Sequence, residues 1–306
     1  MKKNNRTLLV ITFFNRKNTL VPQCKFLEKY NEDIDIILVD QSETTWDTPI
    51  ECDSIKDVHH LPASQYHFYE MWKYICERYK EHSFIYWNND DDFASPRGIK
   101  KAEEFLLANP GYSVAQGQTI QLQTHDTINW NYGTGEWLKK DKTNPDVLQR
   151  IESIFKPNVY VNPHILTRME VWLKAVNIVC DSLKTDTSFA PIKFWDKIFT
   201  LTAACQGYRK TNLDCVSLVR LHRNLTGAIM LNDEGVSPIL ERKTPYREIF
   251  KRLQQYDPFA EMLQNEKGIP MEKAHSIIID ALDIENRNFP NIADETSEKT
   301  PVVCNH

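Results

Sequence analysis

Glycine is scarce in this chain, nine among 306 residues, and no segment gathers them into a phosphate-cradling loop. That counts against a nucleotidyltransferase, which usually brings such a loop alongside its acidic metal ligands. Seven cysteines are scattered at 24, 52, 76, 180, 205, 215 and 304. None forms a CxxC pair, so neither a zinc site nor a disulfide framework is indicated, and a reducing cytoplasm is the expected compartment. No stretch approaches the roughly 18 apolar residues of a membrane span. The start, MKKNNRTLLVITFFN, sets basic residues before a short apolar run. It lacks the small-residue cleavage site of a signal peptide. Positive charge is not in excess either: the net charge of −5 argues against a general nucleic-acid binder. No internal repeat is visible. What the chain does have is 41% apolar residues, enough for one large or two smaller globular domains.

Apolar patterning orders the first third. Thr7–Phe14 (TLLVITFF) is a continuous apolar run, the mark of a strand buried on both faces. Asn18 to Tyr30 reads as a helix with Leu20, Val21, Cys24 and Leu27 on one stripe. Ile34–Val39 is a second buried strand closed by Asp40, Ser64–Tyr79 a helix, and Phe84–Trp87 a third strand. Ser95-Pro96 opens a further helix as N-cap and first-turn proline, and Asn109-Pro110-Gly111 stops it. Alternating strand and helix predicts βαβ units and a mostly parallel sheet, whose ligands sit at the strands' carboxyl ends. Asn15, Asp40 and an acidic triplet all fall there.

Beyond residue 112 the pattern loosens. Ser113–Gln116 and Thr119–Gln123 read as short strands. The polar stretch 124–145 reads as a lid or a surface excursion, and its Trp130, Tyr132 and Trp137 as a groove whose ring faces stack on sugar rings or bases, or as packing. Asn158–Val161 reads as a strand; Thr167–Val179 and Phe194–Cys205 read as helices. A charged helical piece covers 244–288, with a basic face at 241–256. His59-His60 reads as loop.

The acidic triplet is the chemical signal. FIYWNNDDDFASP (84–96) carries an apolar run directly into Asp90, Asp91 and Asp92. Like charges repel by about 1 kcal/mol at 4 Å in bulk water, and several-fold more at a partly buried site. Either water reaches all three carboxylates or a cation sits among them. Mg²⁺ typically takes one or two carboxylates plus substrate phosphates. The plainer alternative is a solvated acidic turn that caps the helix at Ser95.

LLVITFFNR (8–16), DIILVDQSE (35–43) and IYWNNDDDFASP (85–96), in that order, resemble the nucleotide-sugar-binding half of glycosyltransferase family 2. GIKKAEEFLLANPGYSVAQGQ (98–118) is similar to a branch with an Asp-Asp-Asp-Phe motif. The resemblance covers 7–120 well and 160–227 loosely. It implies an α/β GT-A fold, Rossmann-like, with a mostly parallel sheet flanked by helices. The implied boundary is a GT-A domain over 1–230 (nucleotide-sugar half 1–120, acceptor half 121–230); the charged helical pattern adds a helical extension over 231–289, and composition marks 290–306 as a disordered tail.

Carried over by position, the resemblance gives Thr12, Phe14 and Arg16 to the nucleotide pocket and sets Asp40 on the base or ribose. Asp90 and Asp92 become a D-x-D pair with Asp91 between them. The offset of Pro96 allows Asp91 and Asp92 as the metal pair instead. FWDKIFTLTAACQGYR (194–209) resembles the family's E-D helix, with Asp196 eleven residues before Gly207 but Trp195 in place of the Glu. It implies Asp196 as general base for an acceptor hydroxyl, against a helix-start aspartate, with Asp181 and Asp186 as competitors. LVRLHRNLTG (218–227) resembles a later R-x-H segment. There His222 is a metal ligand, a diphosphate partner or a structural histidine, and Arg220 and Arg223 neutralise diphosphate. The implied activity is a Mn²⁺- or Mg²⁺-dependent, inverting transfer from a nucleoside-diphosphate sugar, UDP-linked by preference. The acceptor is open among glycan, lipid-linked sugar, protein and modified DNA. A binding module without turnover is the non-enzymatic alternative.

Overall fold

The structure is a computed structural model that describes residues 4–15, 17–44, 52–90, 92–124, 128–131, 141–155, 164–183, 192–222 and 256–278. Its strands are β1 (Asn4–Phe13), β2 (Asp35–Asp40), β3 (Ile55–His60), β4 (His82–Asn89), β5 (Asp92–Ala94), β6 (Tyr112–Thr124), β7 (Ile128–Asn131), β8 (Leu166–Arg168) and β9 (Tyr208–His222). All nine join one sheet in the order β3-β2-β1-β4-β8-β6-β9-β5, with β7 on β6. The helices are α1 (Lys17–Tyr30), α2 (Phe68–Arg78), α3 (Pro96–Ala108), α4 (Val147–Phe155), α5 (Met169–Leu183), α6 (Ile192–Gln206) and α7 (Asp257–Lys267), followed by a further helical segment at 271–278. The fold is mixed α/β, a nine-stranded sheet flanked by helices, as the alternation of elements predicts.

The continuous apolar run of β1 works as expected because each face of the sheet is covered. Leu8 and Val10 enter the core under α2, α5 and α6, while Leu9, Ile11 and Phe13 enter the core under α1 and α3. Four consecutive residues, Leu8 to Ile11, have no exposure at all, and each contributes about 1.5–3 kcal/mol of burial. Phe259, Leu263, Ile277 and Ile278 join the α2/α5/α6 core, so the helical segment after 256 packs onto the sheet domain.

Sheet direction changes midway. β3, β2, β1 and β4 run parallel. β8 pairs antiparallel with both β4 and β6, β6 and β9 are parallel, and β5 and β9 antiparallel. His59-His60, read as loop, ends strand β3. There His59 bonds the Tyr79 hydroxyl at 2.8 Å and His60 the Ser42 carbonyl at 2.9 Å. The two short strands read between 113 and 123 are one strand, β6. The helix read from Thr167 begins at Met169, after the short strand β8. The helix read from Ser64 begins at Phe68, after a turn. The strand read at 158–161, most of the 124–145 stretch, the basic face at 241–255 and the tail 290–306 lie outside the described residues.

Candidate active site

The three parallel strands β1, β2 and β4 end level with one another. Phe13 stands opposite Asp40, and Thr12 opposite Asn89. The Asp90 amide then donates to the Thr12 carbonyl at 3.1 Å, which carries the acidic turn across the end of β1. Thr12 is buried, and its hydroxyl accepts from the Trp87 indole at 3.0 Å. Phe14, just past the strand, is 46% exposed at the same edge. It is available to a ligand there.

Asp40 is buried, and one carboxylate oxygen accepts the Ser42 amide at 2.9 Å, closing an Asx turn. The Ser42 hydroxyl accepts the Asn15 amide at 2.9 Å, and Asn15 adopts a left-handed backbone (φ 52°) that asparagine tolerates. Glu43 accepts from the Ser64 amide at 3.1 Å and also from its hydroxyl. Asp-Gln-Ser-Glu thus knits the ends of β1, β2 and β3 into one floor.

The solvated-turn reading of the triplet fails for two of its members. Asp90 and Asp92 are only 4% and 3% exposed, and Asp91 lies outside the described residues. The turn is held from beneath. Asn88 donates to the carbonyls of Asp92 at 2.7 Å and Asn89 at 3.0 Å. Gln23 of α1 reaches the carbonyls of Asn89, at 3.3 Å, and Asp92. Beyond the turn, Ser95 caps α3 as predicted, its hydroxyl accepting the Gly98 amide at 3.2 Å.

His164 belongs to this site, and the sequence reading missed it. It is buried, its Nδ1 lies 3.0 Å from the Trp87 carbonyl, and its Nε2 is 3.8 Å from an Asp92 carboxylate oxygen. Its ring lies 5.0 Å from the Trp87 ring. No spacing rule points to a histidine in VNPHILTR. Only the pairing of β8 with β4, Thr167 opposite Ile85, brings it beside the acidic turn.

β9 arrives from the other side. Asp92 stands opposite Arg220 in the β5–β9 ladder, and His222 ends β9 opposite Gln123. The backbone therefore brings the R-x-H segment to the acidic turn; the side chains of Arg220 and His222 are outside the described set. Asp196 lies in the first half of α6, again without a described side chain, while Arg16, Asp186 and Arg223 are outside the described residues altogether. Asp181 is an exposed residue near the end of α5. Among the described residues no group of three His, Cys, Asp or Glu is placed to hold a metal ion. Two buried carboxylates suit a hard cation that draws its remaining oxygens from a ligand.

No protein-family model matches the chain, and no curated protein matches it. Among solved structures, S. aureus TarS aligns over 92% of this chain and 55% of that one, at 13% identity and a TM-score of 0.44. The form spanning residues 1–349 of TarS aligns over 92% of this chain and 90% of that one, at the same identity and score. The chain spans about half the length of the longer TarS structure. No helix among the described residues is long and apolar enough to cross a membrane.

Proposed function

We propose that the protein is a metal-dependent glycosyltransferase of the GT-A kind, moving a sugar from a nucleoside-diphosphate donor to an acceptor hydroxyl. The observation that carries this reading is the burial of Asp90 and Asp92 in the turn that follows the parallel strand β4, with Asp92 opposite Arg220 of β9. Two carboxylates gathered in one buried turn suit a hard cation that takes its remaining oxygens from a donor diphosphate. Mn²⁺ or Mg²⁺ there would stabilise the negative charge of the leaving diphosphate.

The chain's own residues would divide the remaining work. Asp40 and the floor built on Ser42 would receive the nucleoside, with Phe14 and Thr12 alongside it. Asp90 and Asp92, with Asp91, would hold the metal, and His164 would fix the orientation of the Asp92 carboxylate. Arg220, Arg223 and His222 would meet the diphosphate. Asp196 would take the acceptor proton as the sugar inverts.

Isothermal titration with UDP, GDP and CDP, each with and without Mn²⁺, tests the donor site. Binding of one nucleotide is expected only with metal and is lost in Asp92→Asn. If no nucleotide binds under any metal, the reading falls. A panel of nucleotide sugars with the favoured base then asks for turnover. Metal-dependent binding without hydrolysis or transfer of any sugar would favour the module without turnover, which Trp195 in place of the family's Glu keeps open.

A further inference from the structure

A second charged site lies on the α6 side of the sheet, away from the acidic turn. Lys142 and Arg209 face each other across an antiparallel bridge, each amide donating to the other's carbonyl at 2.9 and 3.0 Å. Residues so paired send their side chains to the same side, with Cβ atoms about 5 Å apart, where like charges are destabilising. Arg150 of α4 completes the group. The small cavity between these residues is lined by these three cations, Thr200 and apolar groups, with no carboxylate.

Two of the cations are satisfied by carbonyls. Arg150 Nε donates to Ala204 at 2.6 Å, and Lys142 Nζ to Ser153 at 3.1 Å. Arg209 is different. Its side chain is 8% exposed, its Nε is buried with no acceptor, and among the described residues it makes no ion pair. Burial lowers its pKa to about 10, which leaves it charged at neutral pH. A buried, unpaired guanidinium is strongly unfavourable, and its planar fork matches an oxyanion's geometry.

We propose that this cavity binds one small inorganic oxyanion of the phosphate or sulfate kind, held chiefly by Arg209 with Lys142 and Arg150 around it. The site is distinct from the donor edge. Val114, in the cavity wall, is level through Thr167 with Ile85 of β4, four residues before Asn89, or about 13 Å along the strand. The anion would tie the end of α6 to the start of β9.

Thermal unfolding of the full chain in sodium phosphate, sulfate and gluconate at matched ionic strength tests it. Phosphate and sulfate at saturation are expected to raise the midpoint by about 4 °C over gluconate. The rise should persist in the Asp90→Asn/Asp92→Asn variant, which separates it from any anion effect at the acidic turn. In Arg209→Met the rise should vanish, while the midpoint in gluconate stays at or above that of the parent because a buried unpaired charge has gone. Should that variant not fold, Lys142→Met is expected to bind phosphate about tenfold more weakly by titration. Equal midpoints in the three salts, a rise that survives Arg209→Met, or unchanged affinity in Lys142→Met each overturn the proposal.

Discussion

His164 shows how one residue reports on the site around it. Its Nδ1 is engaged with the Trp87 carbonyl, so the ring is fixed by β4, the strand that delivers the acidic turn. The other ring nitrogen faces Asp92. A histidine that orients a metal-binding carboxylate typically changes affinity 10–100-fold when removed. His164→Ala is therefore expected to weaken Mn²⁺-dependent UDP binding by that factor. Titration at several fixed Mn²⁺ concentrations checks it. Equal affinities for parent and variant would remove His164 from the metal's surroundings and leave it a packing residue of Trp87.

At the scale of elements, α3 and β9 constrain each other through backbone contact. A Cβ built on Gly98 would meet the Val216 carbonyl oxygen at 2.0 Å and the Ser217 Cα at 2.8 Å. Gly117 and Gly207 are likewise pressed against neighbouring backbone. In an exposed helix interior Gly→Ala stabilises by about 1 kcal/mol; here overpacking reverses the sign. Gly98→Ala is expected to lose about 1–3 kcal/mol in urea denaturation. It should also weaken nucleotide binding, because α3 cannot move without displacing the β9 segment that ends at Arg220. A stability gain would show that β9 yields freely.

Which elements could be read from the sequence follows from the same packing. β1 and β2 were legible because both of their faces are buried, which leaves uninterrupted apolar runs. The cap of α3 was legible because Ser95-Pro96 is a local signal. β3 was not: as an edge strand it alternates between exposed and covered positions, and IKDVHH shows no apolar stripe. β9 was visible only as an R-x-H segment, since four register shifts against β6 break any two-residue period. Asp40 and the acidic triplet could be placed at one edge from βαβ logic alone. His164 could not, because its position depends on an antiparallel pairing that no local pattern encodes.

Taken whole, the molecule has two electrostatic ends. The carboxyl ends of β1, β2 and β4 collect buried carboxylates, and the amino ends of the same strands are clamped around one. Asp35 accepts from Lys56 at 2.6 Å, His82 at 2.9 Å and Arg6 at 3.3 Å, joining β1, β2, β3 and β4 at a single residue. Burial alone would raise the Asp35 pKa. The hydrogen bonds from Lys56 and His82 outweigh it and hold the value below the ordinary 3.8. A carboxylate depressed in the folded state contributes stability that is fully present above its unfolded pKa and lost as pH falls through the folded value. Urea midpoints of the parent chain and Asp35→Asn, measured from pH 7 down to pH 3, should therefore differ most at pH 7. They should converge below about pH 4, as the parent gives up what the variant never had. If the gap between the two stays constant to pH 3, protonation of Asp35 is not what loosens the amino ends of the strands in acid.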